Sequence, residues 1–115
     1  TIVDSYQSLE VRIDAAGEAR VACLTIYDAV AGGCAPPSLI KIDAECAEDA
    51  VIRGARETIA RFRPRLLIEV HTAVAGAGVI DALPVPYSFT DVATGRPAAL
   101  PIAPGHYFGI SKERA

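Results

Sequence analysis

The chain has 115 residues, 51% of them apolar and 22% charged, with a formal net charge of −3 and a mean hydropathy of +0.30. That composition describes one globular domain and excludes two. Eleven basic residues are interspersed among fourteen acidic ones, so no field is built to hold nucleic acid or an anionic membrane surface, and no apolar run approaches the ~20 residues of a bilayer crossing.

Leu9 to Ile13 and Arg20 to Ile26 flank the polar segment Asp14-Ala15-Ala16-Gly17-Glu18 and read as an N-terminal hairpin. Ala31-Gly32-Gly33-Cys34 is linker-like. After Pro36-Pro37, residues 39–43 (Leu-Ile-Lys-Ile-Asp) are short, apolar and β-branched, and predict a buried strand. Residues 46–62 predict one helix of about five turns. Ala47, Val51, Ala55, Ile59 and Phe62 form its apolar stripe, widened by Ile52, and Asp49, Arg53, Glu57 and Arg61 its outer face. Gly54 is expected to let this helix sit close against a sheet, and Arg63-Pro64 ends it. Residues 66–71 (Leu-Leu-Ile-Glu-Val-His) predict a second strand, which a helical crossover makes parallel to the first, with a right-handed connection. Residues 79–83 suggest a short helix ending at Pro84. Tyr87–Val92 and His106–Ile110 read as a final antiparallel strand pair, separated by a turn at Thr94-Gly95-Arg96-Pro97. The aromatic residues Tyr87, Phe89, Tyr107 and Phe108 are expected in packing, since no basic residues interleave with them.

No basic-then-apolar leader opens the chain, and three cysteines, Cys23, Cys34 and Cys46, make no C-x-x-C pair. The expectation is a cytoplasmic protein with reduced thiols. A start at Thr1 without any methionine suggests a processed chain or a piece of a longer one.

In open α/β sheets ligands bind at the carboxyl ends of parallel strands. Here those ends carry Asp43 and Glu45 after the first strand, and Glu69 and His71 at the close of the second. Neighbouring strands lie about 4.8 Å apart, which brings these groups within reach of one ligand. Such a cluster can hold a divalent cation or place a general base beside a substrate hydroxyl. The structural alternatives are that Asp43 caps the following helix, that Glu45 and Glu48 are first-turn charges, and that His71 is a hydrogen-bonded core or surface imidazole. Ala75-Gly76-Ala77-Gly78 follows a strand as a cofactor loop would, but it lacks the third glycine and the long helix of that fingerprint, and reads as a flexible connection.

Residues 38–48 (Ser-Leu-Ile-Lys-Ile-Asp-Ala-Glu-Cys-Ala-Glu), then Val51-Ile52-Arg53-Gly54-Ala55, then residues 63–71 (Arg-Pro-Arg-Leu-Leu-Ile-Glu-Val-His) closely resemble the FkbM-type methyltransferases, whose hallmark is Leu-Ile-Lys-Ile-Asp-Val-Glu-Gly-Ala-Glu followed by an Arg-Pro and an Ile-Glu-hydrophobic-His strand. Thr25-Ile26-Tyr27-Asp28 looks like the family's Thr-Leu-Asp-Asp. The resemblance implies an α/β fold: a partial class I methyltransferase, Rossmann-like sheet with a parallel βαβ unit (39–43, 46–62, 66–71), an antiparallel C-terminal strand pair and an N-terminal hairpin. Residues 1–115 would then form a single domain resembling the C-terminal half of such an enzyme, the cofactor-binding half lying before Thr1. It further implies S-adenosylmethionine as cofactor, a small-molecule hydroxyl acceptor, Asp43 and Glu45 at the transfer site, and Glu69 and His71 on the acceptor side. The chain departs from the hallmark at Cys46, which stands where the motif has glycine.

The expected function is an S-adenosylmethionine-dependent O-methyltransferase or a fragment of one, with no dedicated metal site. The alternatives are a truncated, non-catalytic relative acting as a binding or assembly module, and an unrelated α/β domain with a metal or acyl-transfer site. With no earlier strand beside residues 39–43, that strand presents an open edge, to be covered by the Leu9–Ile26 hairpin or by a second copy of the chain, and a homo-oligomer, most simply a two-fold dimer, is expected.

Overall fold

The computed structural model describes residues 24–100 and 102–112. The expected hairpin over Leu9–Ile26 lies almost entirely outside the described residues. Its last residue is in a different element, because Ile26 begins a short helix, α1 (Ile26–Ala31), whose amino end is capped by Thr25 Oγ1 accepting the Asp28 N–H at 3.0 Å.

Four strands form one mixed sheet in the order β1-β2-β4-β3: β1 (Leu39–Ile42), β2 (Arg65–Val70), β3 (Tyr87–Asp91) and β4 (Gly105–Ser111). β1 and β2 are parallel, with Leu39 opposite Arg65 and Ile42 opposite Ile68. β4 runs antiparallel to both β2 and β3. The expected antiparallel end is therefore present, with the last strand inserted between β2 and β3. Between β3 and β4 the chain turns through Gly95, at φ +70, and Asp91 N–H donates to Arg96 O.

Alternation governs burial. Ile40 and Ile42 are buried, whereas Leu39 and Lys41 are exposed, so β1 is covered on one face among the described residues rather than buried outright. Leu66, Ile68 and Val70 continue the same inward row on β2. Ile52 and Ile59 from the helical layer, Val79, Ile102 and the rings of Tyr87, Phe89 and Tyr107 complete the core, each aliphatic side chain stabilising by roughly 1.5–3 kcal/mol. Tyr87 also donates its hydroxyl to Pro64 O at 2.7 Å, tying the entry to β2 to β3.

The crossover between β1 and β2 is two helices, α2 (Glu48–Gly54) and α3 (Arg56–Phe62), in place of the expected single helix. The break is at Ala55, at φ −111 and ψ 4, whose N–H bonds to Ile52 O. The break and the inward turn of Glu48 shift the buried row to Glu48, Ile52, Ala55 and Ile59, while Val51 is only partly buried. Gly54 does not face the sheet: a Cβ there would lie 3.3 Å from Thr25 Cβ and Cγ2, so its small size admits the start of α1. Asp49 and Arg53 pair at 2.8 Å as their spacing requires. Arg63 then ends α3 in the left-handed conformation, at φ 49.

Ala75-Gly76-Ala77-Gly78, expected as a flexible connection, lies inside a helix of ten residues, α4 (Ala73–Ala82). Thr72 Oγ1 caps it by accepting Ala75 N–H at 3.0 Å. The glycines are packing positions. A Cβ on Gly76 would come within 2.9 Å of Ile102 O, and one on Gly78 within 2.8 Å of Asp49 Cβ, which allows α4 to settle against α2. Among the described residues no helix is long and apolar enough to cross a membrane.

Candidate functional site

β1 ends at Ile42, opposite Ile68, and β2 runs two residues further alongside it, to Val70. Asp43 follows β1, and a tight turn then leads into α2. In that turn Glu45 and Cys46 both take positive φ, +47 and +75, which explains why the hallmark has glycine at the second position: only glycine adopts that conformation without strain. On the neighbouring strand Glu69 lies near the end of β2, and His71 follows just before the Thr72 cap of α4.

His71 is the hub. Its Nε2 lies 3.4 Å from Asp43 Oδ1, 3.6 Å from Glu45 Oε2 and 3.7 Å from Glu69 Oε1. All four residues singled out in the sequence are thus brought together. Asp43 does not cap the following helix, whose N-cap is Ala47, with no side-chain capping bond.

Glu48 holds the opposite side of the ring. Its Oε1 lies 3.1 Å from His71 Nδ1 and accepts the His71 backbone N–H at 3.0 Å. An ionised carboxylate only accepts, so with Glu48 ionised Nδ1 carries the proton of the neutral ring, and Nε2, facing the three carboxylates, takes the second proton when the imidazolium forms. Glu48 is a first-turn residue of α2, as read from the sequence, yet it is fully buried, and its Oε2 has no hydrogen-bond partner among the described residues. Burial pulls the His71 pKa down, but the Glu48 hydrogen bond and the charges of Glu48, Glu45 and Glu69 outweigh it, and the ring's pKa lies above its ordinary 6.5.

Two site residues escaped the sequence reading. Glu48 heads the row Glu48, Ile52, Ala55, Ile59 at helical spacing, and that placement was its available signal. His106, directly opposite Glu69 across the β2–β4 pair, puts its Nε2 3.5 Å from Glu69 Oε2. Its signal was that the chain has two histidines in all, the second at the start of the last strand.

The arrangement is an imidazole held from behind by a buried carboxylate and faced by three half-exposed ones. Chemically it can accept a proton at Nε2, bind a hydroxyl, or ligate a cation. An apolar groove of about 500 Å³, lined by Leu83, Tyr87, Phe89, Leu100 and Ile102 among others, includes none of these residues. Nor do the described residues form a glycine-rich cofactor cradle, since Gly76 and Gly78 are packed inside α4.

A family model, the methyltransferase FkbM domain, matches residues 3–92. That span takes in Asp43, Glu45, Glu48, Glu69 and His71. No curated protein and no solved structure matches the chain.

Proposed function

The chain belongs to the methyltransferase FkbM domain family, and from that premise we propose that it is an O-methyltransferase, or the acceptor-binding part of one, acting on a small-molecule hydroxyl. The observation that carries this reading is the convergence of Asp43, Glu45 and Glu69 on His71 Nε2, at the paired ends of β1 and β2. The strand order β1-β2-β4-β3 supports the class I, Rossmann-like assignment, with β1 and β2 as inner parallel strands and β3 and β4 as the antiparallel end. S-adenosylmethionine would supply the methyl group. The described residues fit the acceptor side of such a reaction and not the cofactor side, so only the acceptor's handling follows from them.

A hydroxyl is a poor nucleophile until its proton is drawn away. Nε2 of His71 is the proton acceptor in this reading, and Glu48, hydrogen-bonded to Nδ1, is a positioning residue that fixes the ring and favours the imidazolium once it forms. Asp43, Glu45 and Glu69 orient the acceptor through its hydroxyls and add negative potential around the proton being moved. A positioned base of this kind contributes about 10²–10⁴-fold.

The test is transfer of a tritiated methyl group from S-adenosylmethionine by the full-length protein to a panel of sugar and polyketide alcohols. Label should appear on an acceptor oxygen, and His71→Ala should lower the rate by about 100-fold or more while leaving cofactor affinity unchanged. Transfer that survives His71→Ala and Asp43→Asn alike would contradict the reading. Failure of the full-length protein to bind S-adenosylmethionine at all would favour a non-catalytic assembly module. That second reading is supported by β1, whose outer edge pairs with no described strand and offers a second copy of the chain a template for pairing.

A further inference from the structure

We propose that Asp43, Glu69 and His71 form a binding site for a first-row divalent cation such as Mn²⁺ or Zn²⁺, with the buried Glu48 fixing the histidine ligand from behind. The inference goes beyond methyl transfer and does not rest on it.

One oxygen of Asp43, one of Glu69 and one ring nitrogen of His71 all lie within 4.8 Å of one another. Nitrogen and oxygen ligands about 2.0–2.2 Å from a tetrahedral cation stand about 3.3–3.6 Å apart. The distances from His71 Nε2 to Asp43 Oδ1 and Glu69 Oε1, 3.4 and 3.7 Å, are close to that spacing. Asp43 and Glu69 are half-exposed, with side chains 47% and 33% accessible, so small rotations can bring their oxygens onto a common centre. His106 faces Glu69 Oε2 and leaves Oε1 turned toward His71.

Glu48 is a separate observation that points the same way. It is 0% exposed, with one oxygen on His71 and the other without a hydrogen-bond partner among the described residues. A buried carboxylate in that state needs positive charge close by. A carboxylate on the far nitrogen of a ligating histidine is also the usual outer-shell support of a metal site, setting the tautomer and raising ligand basicity. A cation on Nε2 supplies the charge through the ring. The mixture of imidazole and carboxylates favours Mn²⁺ or Zn²⁺ over Ca²⁺, which takes oxygen ligands. The Nε2 lone pair serves once, so cation binding and proton acceptance are alternative states of one group.

Titration calorimetry of the chelator-stripped protein with MnCl₂ and ZnCl₂, separately, is the test. We expect one cation per chain with a dissociation constant of about 10 μM or tighter. Asp43→Asn and Glu69→Gln, both half-exposed and tolerable to the fold, should each weaken binding about tenfold or more, and Glu48→Gln about tenfold. Circular dichroism would establish that each variant is folded. Absence of saturable binding by the wild-type chain below about 1 mM, or binding of unchanged strength in the folded Asp43→Asn and Glu69→Gln variants, would overturn the proposal. Methyl transfer is measured separately, with the chelator-treated protein, so that failure of cation binding and failure of methyl transfer are distinguishable.

Discussion

Glu48 Oε1 stands 3.1 Å from His71 Nδ1 and also accepts the His71 backbone N–H at 3.0 Å. One buried carboxylate oxygen on the first turn of α2 thereby locks both the main chain and the ring of the residue that closes β2. The lock joins the helical layer to the strand ends and points the remaining ring nitrogen at Asp43, Glu45 and Glu69.

Glu48→Gln should lower the His71 pKa, because the hydrogen bond and charge of Glu48 are the leading influences that raise it. Proton NMR titration of the imidazole in the presence of a chelator would read the change. An unaltered or higher pKa in the folded variant would mean that Glu48 does not hold the ring.

Cys46→Gly should stabilise the fold by about 0.5–1 kcal/mol. The strain of an L-residue at φ +75, about 1–2 kcal/mol, exceeds the added chain entropy of glycine in the unfolded state, about 0.5–1 kcal/mol. A higher urea midpoint is the expected result; a lower one would show that the cysteine side chain contributes more than the turn strains.

How much was legible beforehand differs from element to element. The parallel pairing of β1 and β2 followed from two apolar, β-branched runs separated by a helical stretch, and it carried Asp43, Glu45, Glu69 and His71 with it. The extent of α4 did not follow. Two glycines lower its intrinsic helix propensity by about 1 kcal/mol each, and what stabilises it is tertiary: the Thr72 cap and the close seat of Gly76 on Ile102. Glu48 was obscured for a similar reason. A glutamate in a first turn reads as a solvated charge complementing the helix dipole, and its burial becomes intelligible once His71 is seen across from it.

Gly76→Ala tests that account of α4. Alanine is the better helix former by about 1 kcal/mol, yet its methyl group would meet Ile102 O at 2.9 Å and Val70 Cγ1 at 3.1 Å. A net loss of about 1–3 kcal/mol in urea unfolding is expected. A gain in stability would mean that the helix is not seated there.

Tyr107 predicts an alkaline effect. Burial, and then the charge of Asp91, raise its pKa above the ordinary 10.0, so the folded state retains the phenol proton longer than the unfolded chain. Its contribution is fully present below pH 10 and is lost as the pH rises above that value. Tyr107→Phe, which also removes the hydroxyl's 2.7 Å bond to Ala103 O, should cost about 1 kcal/mol near neutrality. The gap between wild type and variant should narrow above pH 10; a constant gap would refute the assignment.

Proton acceptance and cation binding both need the lone pair of His71 on Nε2. Long-range ¹H–¹⁵N spectra of the chelator-treated protein, taken well above the histidine transition, report the neutral tautomer directly. The account predicts that His71 carries its proton on Nδ1, against Glu48, with Nε2 bare toward Asp43 and Glu69. A proton found on Nε2 would contradict it.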